Sequence, residues 1–117
     1  MQSNKIRIQE YVEENGDNPF REWLEELDKS VAARIQARVF RFETGNLGDA
    51  KNLKDGIWEA KFDIGPGYRL YFGRDGLVVV VLLCGGDKSS QASDIEKAKH
   101  YWDNYKSRKG VDHAKKK

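Results

Sequence analysis

Lys61, Arg69, Tyr71 and Lys88 are the residues whose types and spacing suit chemistry on a phosphodiester. Lys61 lies in the stretch 57–64, where Trp58, Ala60, Phe62 and Ile64 alternate with Glu59, Lys61 and Asp63. Arg69 and Tyr71 alternate in the same way with Tyr68, Leu70 and Phe72. A strand sends successive side chains to opposite faces. If the apolar set packs inward, Lys61, Arg69 and Tyr71 emerge together on the other face. A one-residue slip would bury two cations among apolar neighbours, so the pairing is well specified. Lys88 follows the next apolar stretch and belongs at the rim of the same face. Cations hold a phosphate and an aromatic ring stacks on a base. Arg74, Asp87 and Gln91 complete the candidate substrate contacts.

Such a group also suits cleavage of RNA, which needs the 2′-hydroxyl deprotonated, the pentavalent phosphate stabilised and the 5′-oxygen protonated. Arginine stabilises the developing charge. A lysine crowded by other cations exchanges protons nearer neutrality. Cations on a sheet face equally make a plain binding surface, and the residues alone leave both readings open. Other chemistry is poorly supplied. His100, His113 and the single Cys84 do not make a zinc site. The GPG and CGG triplets lack the spacing of phosphate-cradling loops. Cys84 ends an apolar run with no base nearby, which reads as a core thiol. No metal or cofactor is implied.

The elements that must position these residues follow from pattern and punctuation. Residues 5–13 alternate as an amphipathic strand. Pro19, capped by Asn18 or Asp17, opens a helix marked by Phe20, Trp23, Leu24 and Leu27. A second N-cap at 28–30 opens a longer helix through Val31, Ile35, Val39 and Phe42, stopped by Gly45, with Arg34, Arg38 and Arg41 along its flank. That arginine row is either a solvated face or a contact for a phosphate backbone or acidic partner. Residues 46–56 read as loop. After the strands at 57–64 and 68–72, Asp75-Gly76 is a hairpin signal. The continuous apolar run 77–84 reads as a central strand covered on both faces. A capping box at Ser93 to Glu96 opens a last helix with Ile95, Ala98, Trp102 and Tyr105 on one face. The expected fold is α+β: an antiparallel sheet with a helical hairpin on one face and a C-terminal helix. Residues 1–108 form one domain and 109–117 a basic, disordered tail.

Composition bounds the rest. The chain of 117 residues holds one core. No apolar run reaches the ~20 residues that span a bilayer, so no membrane partner is expected. The first residues do not look like a targeting segment, and a single cysteine fits a reducing cytoplasm. The net charge of +2 hides an asymmetry: residues 1–28 carry 3 cations and 8 anions, and the remainder is basic. Such a dipolar surface either steers an anionic partner to one side or is ordinary surface variation.

With these residues in view, the chain resembles the RelE/ParE superfamily of type II toxin–antitoxin toxins, in particular its phage-associated, HigB-like "addiction module killer" subgroup. The resemblance rests on PFREWLEELDKSVAARI, WEAKF, GPGYRLYFGRDG and VVLLCGGDKSSQASDIEKAKHYW, in that order, from Ile8 to Tyr105. It implies a βααβββα toxin neutralised by a cognate antitoxin, commonly a helix-turn-helix protein. For RelE-like and HigB-like members it implies metal-independent mRNA cleavage on the ribosome. The family's catalytic cations fall at Lys61, Arg69 and Lys88, with Asp87 beside the last. The chain departs from RelE-type members at Glu59, where they have a second lysine. It departs again near Asp94 and Ile95, where they have a tyrosine and HigB-type members a histidine. Glu59, Asp87 or Lys61 would then serve as base. ParE-like members poison DNA gyrase without cutting RNA, and a third reading is an inactive prophage remnant, so fold alone does not fix the activity.

Overall fold

A computed structural model describes residues 5–77 and 79–115, the last six of these by their backbone alone. Five strands and three helices follow one another as β1 (Arg7–Glu10), α1 (Pro19–Glu26), α2 (Lys29–Phe42), β2 (Ala50–Lys54), β3 (Ile57–Phe62), β4 (Tyr68–Asp75), β5 (Val79–Gly86) and α3 (Gln91–Lys115). A 3-10 turn, Lys88–Ser90, leads into α3. The fold is α+β, one five-stranded sheet in the order β1-β5-β4-β3-β2.

The sheet is covered on both faces. The helical hairpin lays Phe20, Leu24, Ile35, Val39 and Phe42 against Ala60, Phe62, Leu70, Phe72, Val80 and Leu82. Helix α3 sets Ala98 and Trp102 against Ile57, Tyr71, Val79, Val81 and Leu83. The caps are local chemistry: the Asn18 side chain accepts from the Arg21 N–H at 2.9 Å and Asp28 accepts from Ser30. Gly45, at φ +90°, closes α2.

Four expectations are corrected. The sheet is mixed, because β1 runs parallel to β5. The connection that returns from β1 through two helices and three strands is long enough for parallel pairing, which a hairpin is not. Residues 50–54, read as loop, form an edge strand against β3. Its lysines and short length hide it, as befits an edge that must not recruit another chain. Helix α3 begins at Gln91, upstream of the expected capping box, because Asp87 caps the 3-10 turn that runs straight into it. The same helix continues to Lys115, so most of the expected tail is helical, with Lys109 ion-paired to Asp75. Residues 116 and 117 lie outside the described residues.

Strand β5 carries a bulge. Tyr71 pairs with Cys84 and Phe72 with Leu82, leaving Leu83 extra. Leu83 and Cys84 therefore both face α3, and the parity of everything after them is reversed. Gly85 then faces α1, where an added Cβ would lie 2.3 Å from the Trp23 ring. Gly86 faces α3, where it would lie 1.8 Å from an Asp94 carboxylate oxygen. Each glycine is required by what lies on it.

Gly73 of β4 plays the same part for Trp102, whose Cε3 would stand 2.3 Å from an added Cβ. The indole is anchored there by its Nε1–H, which donates to the Asp55 carbonyl at 2.9 Å. Gly73→Ala is expected to lower the unfolding free energy by about 1–3 kcal/mol, the usual cost of overpacking. Urea denaturation measures it, and an unchanged midpoint would mean that Trp102 has room to move aside.

Candidate functional site

The register places Lys61 directly opposite Arg69, and Arg69 opposite Gly86. The next row is Glu59, Tyr71 and Cys84. Both rows face α3, at the end of the sheet where the 3-10 turn and the first turn of α3 close over it. Lys61 and Lys88 are exposed, but Arg69 is 7% exposed. A Cβ on Gly67 would lie 3.7 Å from Arg69 Nη1 and 4.0 Å from Lys88 Cβ, so Arg69 and the stem of Lys88 flank the same glycine. The three expected catalytic cations are thus brought to one end of one face.

Their environment differs from an open cationic groove. Glu59, 5% exposed, sits at the centre. Its Oε2 accepts the Tyr71 hydroxyl at 3.0 Å and the Gln91 amide at 2.8 Å, and lies 3.7 Å from Arg69 Nε. Arg69 Nη1 donates to the Gly67 carbonyl at 3.1 Å, while its buried Nε has no hydrogen-bond partner among the described residues. A second buried carboxylate, Asp94, accepts from Ser90 Oγ at 2.5 Å and packs on Gly86.

Several candidate contacts are therefore already engaged. Tyr71, expected on an open face, is fully buried. Burial, with Glu59 accepting its proton, pushes its phenol far above the ordinary value, so it is a fixed donor and has no free ring face for a base. Gln91 is tied to Glu59. Asp87 accepts from the Ser89 hydroxyl and N–H, which hold its carboxyl below the usual range, with Arg69 adding a little. Arg74 does not belong to this group. Five residues along β4, ~17 Å at strand rise, it pairs with Val80, and its guanidinium lies 5.9 Å from the Trp58 ring. It lines a separate cleft of about 500 Å³ with Asp55, Asp75 and Trp102.

The arginine row also divides. Arg38 turns inward, donating to the carbonyls of Leu47, Asp49 and Lys61 and lying 4.5 Å over the Phe62 ring. It clasps the loop before β2 to the end of β3. Arg34 and Arg41 stay exposed. Among the described residues no cluster of His, Cys, Asp and Glu is arranged to hold a metal ion, and no helix is long and apolar enough to cross a membrane.

With this geometry in hand, sequence comparison adds one relative. The chain is 49% identical over 81 residues to an uncharacterized protein of Haemophilus influenzae, a match covering 68% of this chain and 82% of that protein. The chain belongs to that protein's family. No family model matches it.

The residues that the sequence under-weighted are Glu59 and Asp94. Glu59 shares its alternation face with Lys61, which was legible, but its role as a shared acceptor for Tyr71 and Gln91, ion-paired with Arg69, depends on α3 bringing Gln91 across. Asp94 belongs to the site only because Gly86 leaves it space. Cys84, by contrast, is the core thiol expected. Burial, then the charge of Asp94, pushes it up to about 12. Only the thiolate is nucleophilic. At pH 8 about one molecule in ten thousand would carry it, against about one in four for a thiol at its reference value. Iodoacetamide labelling at pH 8 is expected to be at least ~100-fold slower in the native protein than in urea. Comparable rates would mean that the layer beneath α3 opens readily.

Proposed function

We propose that the chain is a toxin of a type II toxin–antitoxin system, a RelE-like, HigB-like member of the RelE/ParE superfamily that cuts mRNA on the ribosome without a metal. The observation that carries this reading is the cross-strand pair Lys61 and Arg69, with Lys88 flanking Gly67 beside them. Support comes also from the element order, a helical hairpin on one sheet face and a C-terminal helix on the other. Its partners are then a cognate antitoxin, of helix-turn-helix type, and ribosome-bound mRNA in the cytoplasm.

In the cleavage step the 2′-oxygen attacks phosphorus and the bond to the 5′-oxygen breaks, leaving a cyclic phosphate and a 5′-hydroxyl. The proton of the 2′-hydroxyl goes to a base and another proton reaches the 5′-oxygen. Lys61 and Arg69 stabilise the pentavalent phosphate, and Lys88 holds the strand or protonates the leaving oxygen. Of the candidate bases, Asp87 is the weakest, since Ser89 holds its carboxyl low.

Lys61→Ala and Lys88→Ala change exposed side chains and should leave folding intact. Each is expected to reduce ribosome-dependent cleavage about 10²-fold or more, the usual consequence of losing a preorganised charge. Arg69→Ala is expected to abolish growth inhibition while antitoxin capture persists. Primer extension on mRNA from induced cells maps the cuts. Codon-phased new 5′ ends are expected. Intact transcripts with inhibited gyrase would replace this reading by a gyrase-binding one, favoured by the carboxylate that already offsets part of the Arg69 charge.

A further inference from the structure

Arg69 has three guanidinium nitrogens in three different situations. Nη1 is held by the Gly67 carbonyl. Nε faces the Glu59 carboxylate at 3.7 Å, an ion pair beyond hydrogen-bond reach. Nη2 makes no hydrogen bond among the described residues and is not among the buried orphans, which leaves it as the nitrogen available to an incoming anion. The guanidinium is planar, so the Gly67 hydrogen bond at Nη1 and the Glu59 charge facing Nε together bias where the third nitrogen points.

The other partners of Glu59 decide how firmly that plane is held. Tyr71 OH from β4 and Gln91 Nε2 from α3 both donate to Oε2, the oxygen that faces Arg69. Three elements, β3, β4 and α3, therefore meet on one oxygen atom. A carboxylate buried to 5% exposure is costly unless paired, and this one spends its hydrogen bonds on the parts that surround Arg69.

We propose that Glu59 is the positioning residue of this site: its buried carboxylate orients the Arg69 guanidinium so that Nη2 is presented to the scissile phosphate beside Lys61. The chemistry rests on the RNA-cleaving reading above, whereas the geometry does not. A negative charge next to Arg69 works against binding of an anionic strand, so Glu59 trades affinity for orientation. That opposition gives the inference a signature which a purely structural carboxylate lacks.

The test is Glu59→Gln, which keeps the shape and can still accept from Tyr71 and Gln91 but removes the charge. Binding of a fluorescent oligoribonucleotide is expected to be unchanged or tighter, because the site gains one net positive charge. Single-turnover cleavage on ribosomes is expected to fall about tenfold or more. Glu59→Asp, which restores the charge, should recover part of the rate. Loss of binding and cleavage together, with no recovery by Glu59→Asp, overturns the proposal. A readout independent of activity is the Arg69 Nε–Hε resonance in 15N spectra, expected to move toward the values of exposed arginines in Glu59→Gln. An unmoved resonance overturns the positioning role even in an enzyme that cuts RNA. A wild-type protein that leaves mRNA whole while the resonance moves removes the cleavage reading and supports the positioning of Arg69.

Discussion

The apolar run of β5 forces most of the architecture. Val79 to Cys84 are buried on both sides, so neither sheet face can be left to solvent and two separate helical layers are needed. The hairpin of α1 and α2 answers one demand and α3 the other. Placing β5 between β1 and β4 follows, since an inner position is where an element with no polar face can have both edges paired and both faces dry. Leu77, at the turn before this strand, is 84% exposed, which marks where the buried run ends.

Covering the second face has an electrostatic consequence. Had α3 been absent, Lys61, Arg69 and Tyr71 would stand on an open surface as independent charges and rings. With α3 in place, Arg69 and Tyr71 lie in a region of low effective dielectric, where an unpaired charge is expensive and a paired one is held firmly. Glu59 resolves this for Arg69, leaving one buried Nε–H without a hydrogen bond. Such an orphan costs about 1–3 kcal/mol.

Much of this was legible in the chain. Period-two alternation placed Lys61, Arg69 and Tyr71 on one face, and caps at Asn18 and Asp28 located both hairpin helices. Three things were not legible, each for a physical reason. Strand β2 is polar and short, so it shows no alternation to read. Burial of Tyr71 depends on where α3 lies, a tertiary fact invisible to local pattern. Arg74 is near the site in sequence, whereas the rise of a strand carries it to the opposite end of β4. The parallel pairing of β1 is likewise a matter of chain routing, and no local residue signals it.

The bulge at Leu83 means that the two halves of β5 count in opposite phase. Before it, Val80 and Leu82 belong to the hairpin layer. After it, the two glycines have exchanged the faces that a regular strand would give them. Point changes in the first half are matters of volume, to be absorbed by repacking. Loss of Leu83, the extra residue, would leave both glycines in their seats, whereas an insertion after Cys84 would set a side chain where Trp23 lies on Gly85. Among relatives of this chain, the two glycines that end β5 should therefore be held more strictly than the apolar residues before them.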